Sequence, residues 1–252
     1  MRSIITVKDL VKNYGSFKAV KGISFEVYEG EIFGLLGPNG AGKSTTLEIM
    51  ETLRKKTSGE VIICGMNLDR EPDNIKKVIG VQLQTSGYYP GLSLVELIQL
   101  FGGLYNEPVD PAALLQLVNL TDKIKSKYKE LSGGQKQRFS IATTLINKPR
   151  IIFLDEPTTG LDPQARRNLW ELIKNIRSQG TTVIITTHYM DEAEQLCDRI
   201  AILDEGKIIS LDSPDKMIDD FVSSGFERPR QVKAANLEDV FIHLTGKEMR
   251  DD

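Results

Sequence analysis

The sequence predicts an α/β protein, and two observations carry that expectation. Three apolar runs, EIFGLL (31–36), IIFLD (151–155) and TVIITT (182–187), show no polar alternation, as expected of parallel strands covered on both faces. Helical patterns follow them at about 43–53, 163–179 and 189–197, so strand and helix alternate as in folds with crossover helices. The N-terminal part differs. There Ile23, Phe25 and Val27 alternate with Ser24, Glu26 and Tyr28, the two-residue period of a half-buried strand, which predicts an antiparallel sheet with a turn near Gly15. Between Gln84 and Pro149 no strand pattern occurs, and 93–105, 111–119 and 132–147 read as helices, a helical insert of about 60 residues. The tail after about 220 is polar and ends in LEDVFIHLTGKE, a short amphipathic helix that contains His243, read as structural. No internal repeat or low-complexity segment interrupts this order.

A chain of 252 residues is long enough to bury a core without disulfide or metal staples. Its net charge of −3, with both signs interspersed, argues against a general electrostatic grip on nucleic acid or anionic lipid. Cys64 and Cys197 have no metal-type spacing and are expected to be buried thiols in a reducing cytosol. The stretch MRSIITVKDL lacks the apolar region of a signal peptide, and runs such as IIFL and IAIL fall far short of the roughly 20 residues that span a bilayer. The expectation is a soluble protein whose membrane role, if any, comes through a partner.

The segment GPNGAGKST (37–45) fits G-x-x-x-x-G-K-[ST], with Gly37, Gly42, Lys43 and Ser44 at the defining positions. Glycines let the backbone N–H groups curl around phosphates, Lys43 brings a point charge to the β and γ phosphates, and the Ser44 hydroxyl suits Mg²⁺. A buried strand precedes the loop and a helical pattern follows it, the context that the motif requires. Four apolar residues then deliver Asp155 and Glu156 to the carboxyl end of a second buried strand, where open α/β sheets bind ligands. Asp155 suits holding Mg²⁺ through its hydration water, and Glu156 suits positioning or deprotonating the attacking water. His188 follows TVIITT on the same sheet edge and suits a donor that senses the γ-phosphate and helps orient that water.

A second anion seat occurs at LSGGQKQR (131–138), where serine and two glycines open a helix and bare its first N–H groups. One helix N-terminus cannot replace another at a triphosphate that the other already wraps, so this seat needs its own explanation, as an anion site or as a plain serine helix cap. The four segments GPNGAGKST, LSGGQKQR, IIFLDEPTTGLDP and TTHYMDEAE, in this order, resemble the nucleotide-binding subunit of an ATP-binding cassette (ABC) transporter, and the resemblance covers nearly the whole chain. It implies a P-loop NTPase core of RecA-like type with an N-terminal antiparallel β-subdomain and an inserted helical subdomain. On that basis one nucleotide-binding domain spans 1–252, with its catalytic core at 1–84 and 149–220, the helical subdomain at 85–148 and a short tail at 221–252.

The resemblance further implies that Ser132, Gly133, Gly134 and Gln135 of one chain close over ATP held by Gly37, Pro38, Asn39, Gly40, Ala41, Gly42, Lys43, Ser44 and Thr45 of its neighbour. Tyr14, in NYG, matches the aromatic that stacks on adenine. Gln84, in IGVQLQ, matches the glutamine that reaches metal and attacking water; Gln82 shares its strand face, and only the motif alignment favours Gln84. Asp162, in GLDP, matches the aspartate that crosses the dimer interface, and it is also placed to cap the following helix. Implied cofactors are ATP and Mg²⁺. Implied partners are an integral membrane permease and a second cassette, identical or paralogous, with no nucleic acid. The implied location is the cytoplasmic face of the membrane. The aromatic and aliphatic stretch after Gln84 is expected to supply a docking patch through Tyr88, Tyr89 or Leu92. The ending LEDVFIHLTGKE and the segment TTHYMDEAEQLCDRIAILDEGKII resemble exporters of the daunorubicin-resistance (ABC-2) type, although that group more usually has methionine where Gln135 stands. An importer ATPase, and a soluble cassette ATPase acting in translation or on DNA, are the alternatives.

Overall fold

A computed structural model describes residues 2–82 and 87–226. They fall into two compact units, Met1–Lys216 and Met217–Asp252. Strands β1 (Ser3–Tyr14) and β2 (Phe17–Tyr28) form the antiparallel hairpin that the alternation predicts, with Gly15 in its turn at φ +58°. Strand β3 (Ile32–Leu36) is fully buried and leads into α1 (Lys43–Met50). Strands β4 (Ser58–Ile63) and β5 (Met66–Asn67) complete an antiparallel sheet in the order β2-β1-β4-β5. Helix α2 (Pro72–Val78) precedes strand β6 (Ile79–Gln82).

Among the described residues between β6 and the next strand the named elements are helices, as expected, with one isolated bridge between Ser93 and Lys127. Helix α3 (Leu94–Tyr105) starts in a reciprocal cap between Ser93 and Glu96, and α4 (Pro111–Leu117) is capped by Asp110. Helix α5 (Gly133–Thr144) is likewise capped by Ser132 and Gln135. Tyr88 packs its ring against Phe101, Tyr128 and Phe139, with centroids 4.4–5.9 Å apart, and bonds Thr143 at 3.0 Å. It therefore serves the interior of this segment, whereas Tyr89 is exposed and Leu92 is half-buried. The C-terminal end of α5 rests on β6 at Gly80, where a Cβ would stand 2.1 Å from the Thr144 carbonyl oxygen. Only glycine allows that approach.

Strands β7 (Ile151–Asp155) and β8 (Thr182–Thr187), helices α6 (Pro163–Ser178) and α7 (Met190–Leu196), the hairpin β9 (Arg199–Asp204) and β10 (Lys207–Asp212), and α8 (Pro214–Ser223) follow. The second sheet runs β10-β9-β3-β8-β7-β6, parallel from β9 to β6 with β10 as an antiparallel edge. One core cluster joins the two sheets, combining Ile5, Leu10 and Phe25 with Leu47 and Met50 of α1 and with Phe33, Phe153 and Ile184. On α6, Leu169, Leu172, Ile173 and Ile176 form one buried stripe at helical spacing. Each such side chain stabilises the fold by roughly 1.5–3 kcal/mol.

Glu51, the C-cap of α1, is an ionisable group in this interior: it is 3% exposed and its Oε1 has no hydrogen-bond partner. Burial, reinforced by the charges of Asp155 and Glu48, raises its pKa from 4.5 to about 8. Because the folded value is raised, the folded chain holds a proton there that the unfolded chain has released. That contribution is fully present below about pH 4.5 and is lost as pH rises through about 8. The cost is on the order of 1 kcal/mol per pH unit within that window. Glu51→Gln is expected to flatten the fall of melting temperature with rising pH, measured by circular dichroism across that window. An unchanged slope would contradict the assignment.

Candidate nucleotide site

Because β3, β7 and β8 are parallel neighbours, their carboxyl ends share one edge, with Leu36 paired to Thr187 and Asp155 to Thr186. Each strand therefore releases its next residues at the same place. From β3 comes the loop Gly37–Gly42. Gly42 sits at φ +98°, and a Cβ there would stand 2.7 Å from the carbonyl oxygen of Ala19, so both conformation and space demand glycine. Lys43 follows at the first turn of α1. It is 4% exposed, and its Nζ donates to the carbonyl oxygens of Gly37 (2.8 Å) and Pro38 (3.1 Å), which folds the ammonium back over the loop.

From β7 come the two acids. Asp155 Oδ1 accepts from Ser44 Oγ at 3.2 Å and from the Thr186 hydroxyl. Burial raises the pKa of Asp155, the two hydroxyl bonds oppose this, and the Glu156 charge adds to it. Ser44 and Asp155 form an oxygen-only donor pair of the kind Mg²⁺ takes. Among the described residues no group of three His, Cys, Asp or Glu side chains could hold a metal ion by itself. Mg²⁺ takes one or two protein oxygens together with phosphate and water, and the Ser44–Asp155 pair offers two.

Glu156 adopts the left-handed conformation, φ +47°, at a cost of roughly 1–3 kcal/mol for a non-glycine residue. Its N–H donates to the Thr186 carbonyl (3.2 Å) and Oγ1 (3.0 Å), which fixes the turn. The side chain then reaches Lys43 Nζ at 3.6 Å, and Thr159 Oγ1 donates to its Oε2 at 3.3 Å. From β8 comes His188, whose Nδ1 lies 3.2 Å from Glu156 Oε1 without the alignment of a hydrogen bond. Lys43, Glu156 and His188 thus converge from three strand ends.

A cavity of about 440 Å³ opens here, lined by Tyr14, Phe17, Ala19, Asn39, Gly40, Gly42, Lys43, Ser44, Thr45 and Glu156. Tyr14, predicted as the adenine platform, is therefore joined to the phosphate loop. Lys12 Nζ and the Arg54 guanidinium stand 4.9 and 5.3 Å from its ring centre. Phe17, 62% exposed and lining the same cavity, was not singled out by sequence; an aromatic so close to Tyr14 in an alternating strand was the available signal. A larger groove of about 560 Å³ lies at the opposite strand ends, beside Arg150 and Thr181, away from this chemistry.

The second seat stands apart. Ser132 and Gly133 are exposed, and neither they nor Gly134 and Gln135 line the cavity around Lys43. Gly134 lies against Ala165 of α6, where a Cβ added at Gly134 would stand 3.1 Å from the Ala165 Cβ. Asp162, exposed, caps α6 by accepting from Ala165 N at 2.8 Å. The segment LSGGQ (131–135) and Asp162 therefore neighbour each other on the chain's surface. Gln82 is buried with its amide oxygen unpartnered, whereas Gln84 and His243 lie outside the described residues.

Residues 20–159 match the family model described as ABC transporter. The Nod factor export ATP-binding protein I of Cupriavidus metallidurans is 34% identical, with the alignment covering 100% of both chains. The linearmycin resistance ATP-binding protein LnrL of Bacillus subtilis is 41% identical over 82% of this chain and 68% of its own. Among solved structures, the ADP conformation of an ATP-binding cassette of an ABC transporter superposes with a TM-score of 0.79 at 25% identity, covering 88% of this chain and 96% of that one. A dimeric post-hydrolysis state of another ATP-binding cassette, bound to ADP and Pi, superposes with a TM-score of 0.73 at 30% identity over 83% of this chain and 98% of its own.

Proposed function

Because the chain belongs to the ABC transporter family, we propose that it is the ATP-hydrolysing subunit of an exporter, working as a two-chain sandwich on a membrane permease. The observation that carries this reading is the meeting of Lys43, Glu156 and His188 beside the Ser44–Asp155 pair. Loop N–H groups and Lys43 bind the triphosphate, and Tyr14 stacks on adenine with Phe17 at the cavity mouth. Ser44 and Asp155, with Gln84, would hold Mg²⁺, which supplies neutralisation of phosphate charge when bound. An arriving γ-phosphate competes with Glu156 for Lys43 and frees the carboxylate. Glu156 then takes a proton from the attacking water as the bond from the γ-phosphorus to the bridging oxygen breaks, yielding ADP and phosphate. His188 donates to the γ-phosphate and holds that water in line.

The solvent-facing α5 N-terminus, with Ser132, Gly133, Gly134 and Gln135, completes the site of a second copy or of a paralogous cassette, and Asp162 crosses the same interface. Support comes from the exposure of this seat and from the dimeric cassette that the chain resembles. The partner is an integral membrane permease. The export and resistance roles carried by the names of its relatives support an outward direction, and the exposed Tyr89 offers a docking contact. On this reading the chain sits at the cytoplasmic face, held by the permease; no described helix is long and apolar enough to cross a membrane.

Glu156→Gln is expected to retain ATP binding while slowing hydrolysis by roughly 10²- to 10⁴-fold. A steady-state phosphate assay checks this, and wild-type turnover would remove the base. Lys43→Ala should instead lose nucleotide binding in a direct binding titration. Ser132→Arg should block ATP-dependent dimerisation in light scattering while leaving the affinity of the monomer for ATP nearly intact; an equal loss of that affinity refutes the division between two seats.

A further inference from the structure

Glu192, on α7, is wholly buried, yet it belongs to none of the groups assigned above. Burying a carboxylate is costly unless partners hold it. Its Oε1 accepts from Trp170 Nε1 of α6 at 3.1 Å. Burial raises its pKa, and the hydroxyls of Thr187 and Thr158 lie near enough to favour its charged form. Neither Glu192 Oε2 nor Thr158 Oγ1 completes a hydrogen bond of ordinary geometry, so the network is partly satisfied and free to rearrange.

The segments that meet here carry the proposed chemistry. Thr187 ends β8 and immediately precedes His188. Thr158 lies in the turn from Glu156 to Asp162. Trp170 stands two turns into α6, the helix that Asp162 caps. Two further links run in parallel. Arg166 of α6 bonds Asp191 at 3.1 Å and lies 4.5 Å over the Tyr189 ring, which packs 4.1 Å from the ring of His188. The histidine loop is therefore tied to α6 by one buried and one surface strap.

We propose that Glu192, with Trp170 and Arg166, is a positioning residue that transmits the presence or loss of the γ-phosphate from His188 to α6 and its Asp162 cap. It rests on the role given to His188 above. Glu192 touches no nucleotide-binding group, so its loss acts on turnover and not on ATP affinity. Trp170 is the only tryptophan of the chain and therefore reports on the strap directly.

The test uses the full-length chain and Mg–ATP. Trp170 emission is expected to change on adding Mg–ATP and not ADP, and His188→Ala should abolish that change. Glu192→Leu, which removes the acceptor, should lower kcat by about ten-fold with the KM for ATP within about two-fold, and Glu192→Gln, which keeps an acceptor oxygen, should restore it. A role confined to stability would not give that split or that rescue. Should Glu192→Leu fail to fold, Trp170→Phe carries the same expectation. Full kcat in both Glu192→Leu and Trp170→Phe, with His188→Ala inactive, overturns the strap alone. Wild-type turnover in His188→Ala overturns the strap and the reading of His188 together.

Discussion

The ammonium of Lys43 is the charge around which the site is arranged. It is 4% exposed, and such a group is tolerated only where fixed acceptors replace its water. Two loop carbonyls and the Glu156 carboxylate do so. Each acceptor is delivered by a strand end, the carbonyls by β3 and the carboxylate by β7, so the parallel register of the sheet is also the geometry of the charge cluster. The turn that brings Glu156 inward is a left-handed residue bolted to Thr186 of β8. A shift in register between any two of these strands would separate the ion pair and leave a buried charge uncompensated.

That dependence explains why so much of the site is legible in the sequence. Fully buried parallel strands read as unbroken apolar runs, and the residues after them are the ones the sheet edge must present, so Gly37, Asp155, Glu156 and His188 could be placed from EIFGLL, IIFLD and TVIITT alone. The hairpin turn at Gly15 and the caps at Ser132 and Asp162 were readable for a similar reason, since each depends on local chemistry. Strand β6 entered the sequence reading only as the strand face that Gln82 and Gln84 share in IGVQLQ, because four residues at a sheet edge carry little pattern of their own. The hairpin of β9 and β10 and the strands β4 and β5 were not resolved as separate elements. Glu51, Glu192 and Phe17 escaped for a different reason: nothing local marks a glutamate as buried or an aromatic as facing a cavity, because both follow from packing between segments far apart in sequence.

The two anion seats also follow different physical logic. The first is positioned by the sheet, whose neighbouring strand ends deliver the loop, Lys43 and the two acids. The second is a helix N-terminus held by its own serine and glutamine, beside the Asp162 cap, and none of its residues lines the cavity around Lys43. Its capping bonds give it a fixed shape and no internal ligand, which is the arrangement expected of a surface that finishes another molecule's site.

The most direct measurement mixes Ser132→Cys chains with Asn39→Cys chains, both in the Glu156→Gln background, and scores disulfide formation between the two. A covalent pair that joins one chain of each kind in Mg–ATP, and is absent in ADP, is the predicted result. Absence of that pair in Mg–ATP, or full turnover by a preparation held strictly monomeric, contradicts the account.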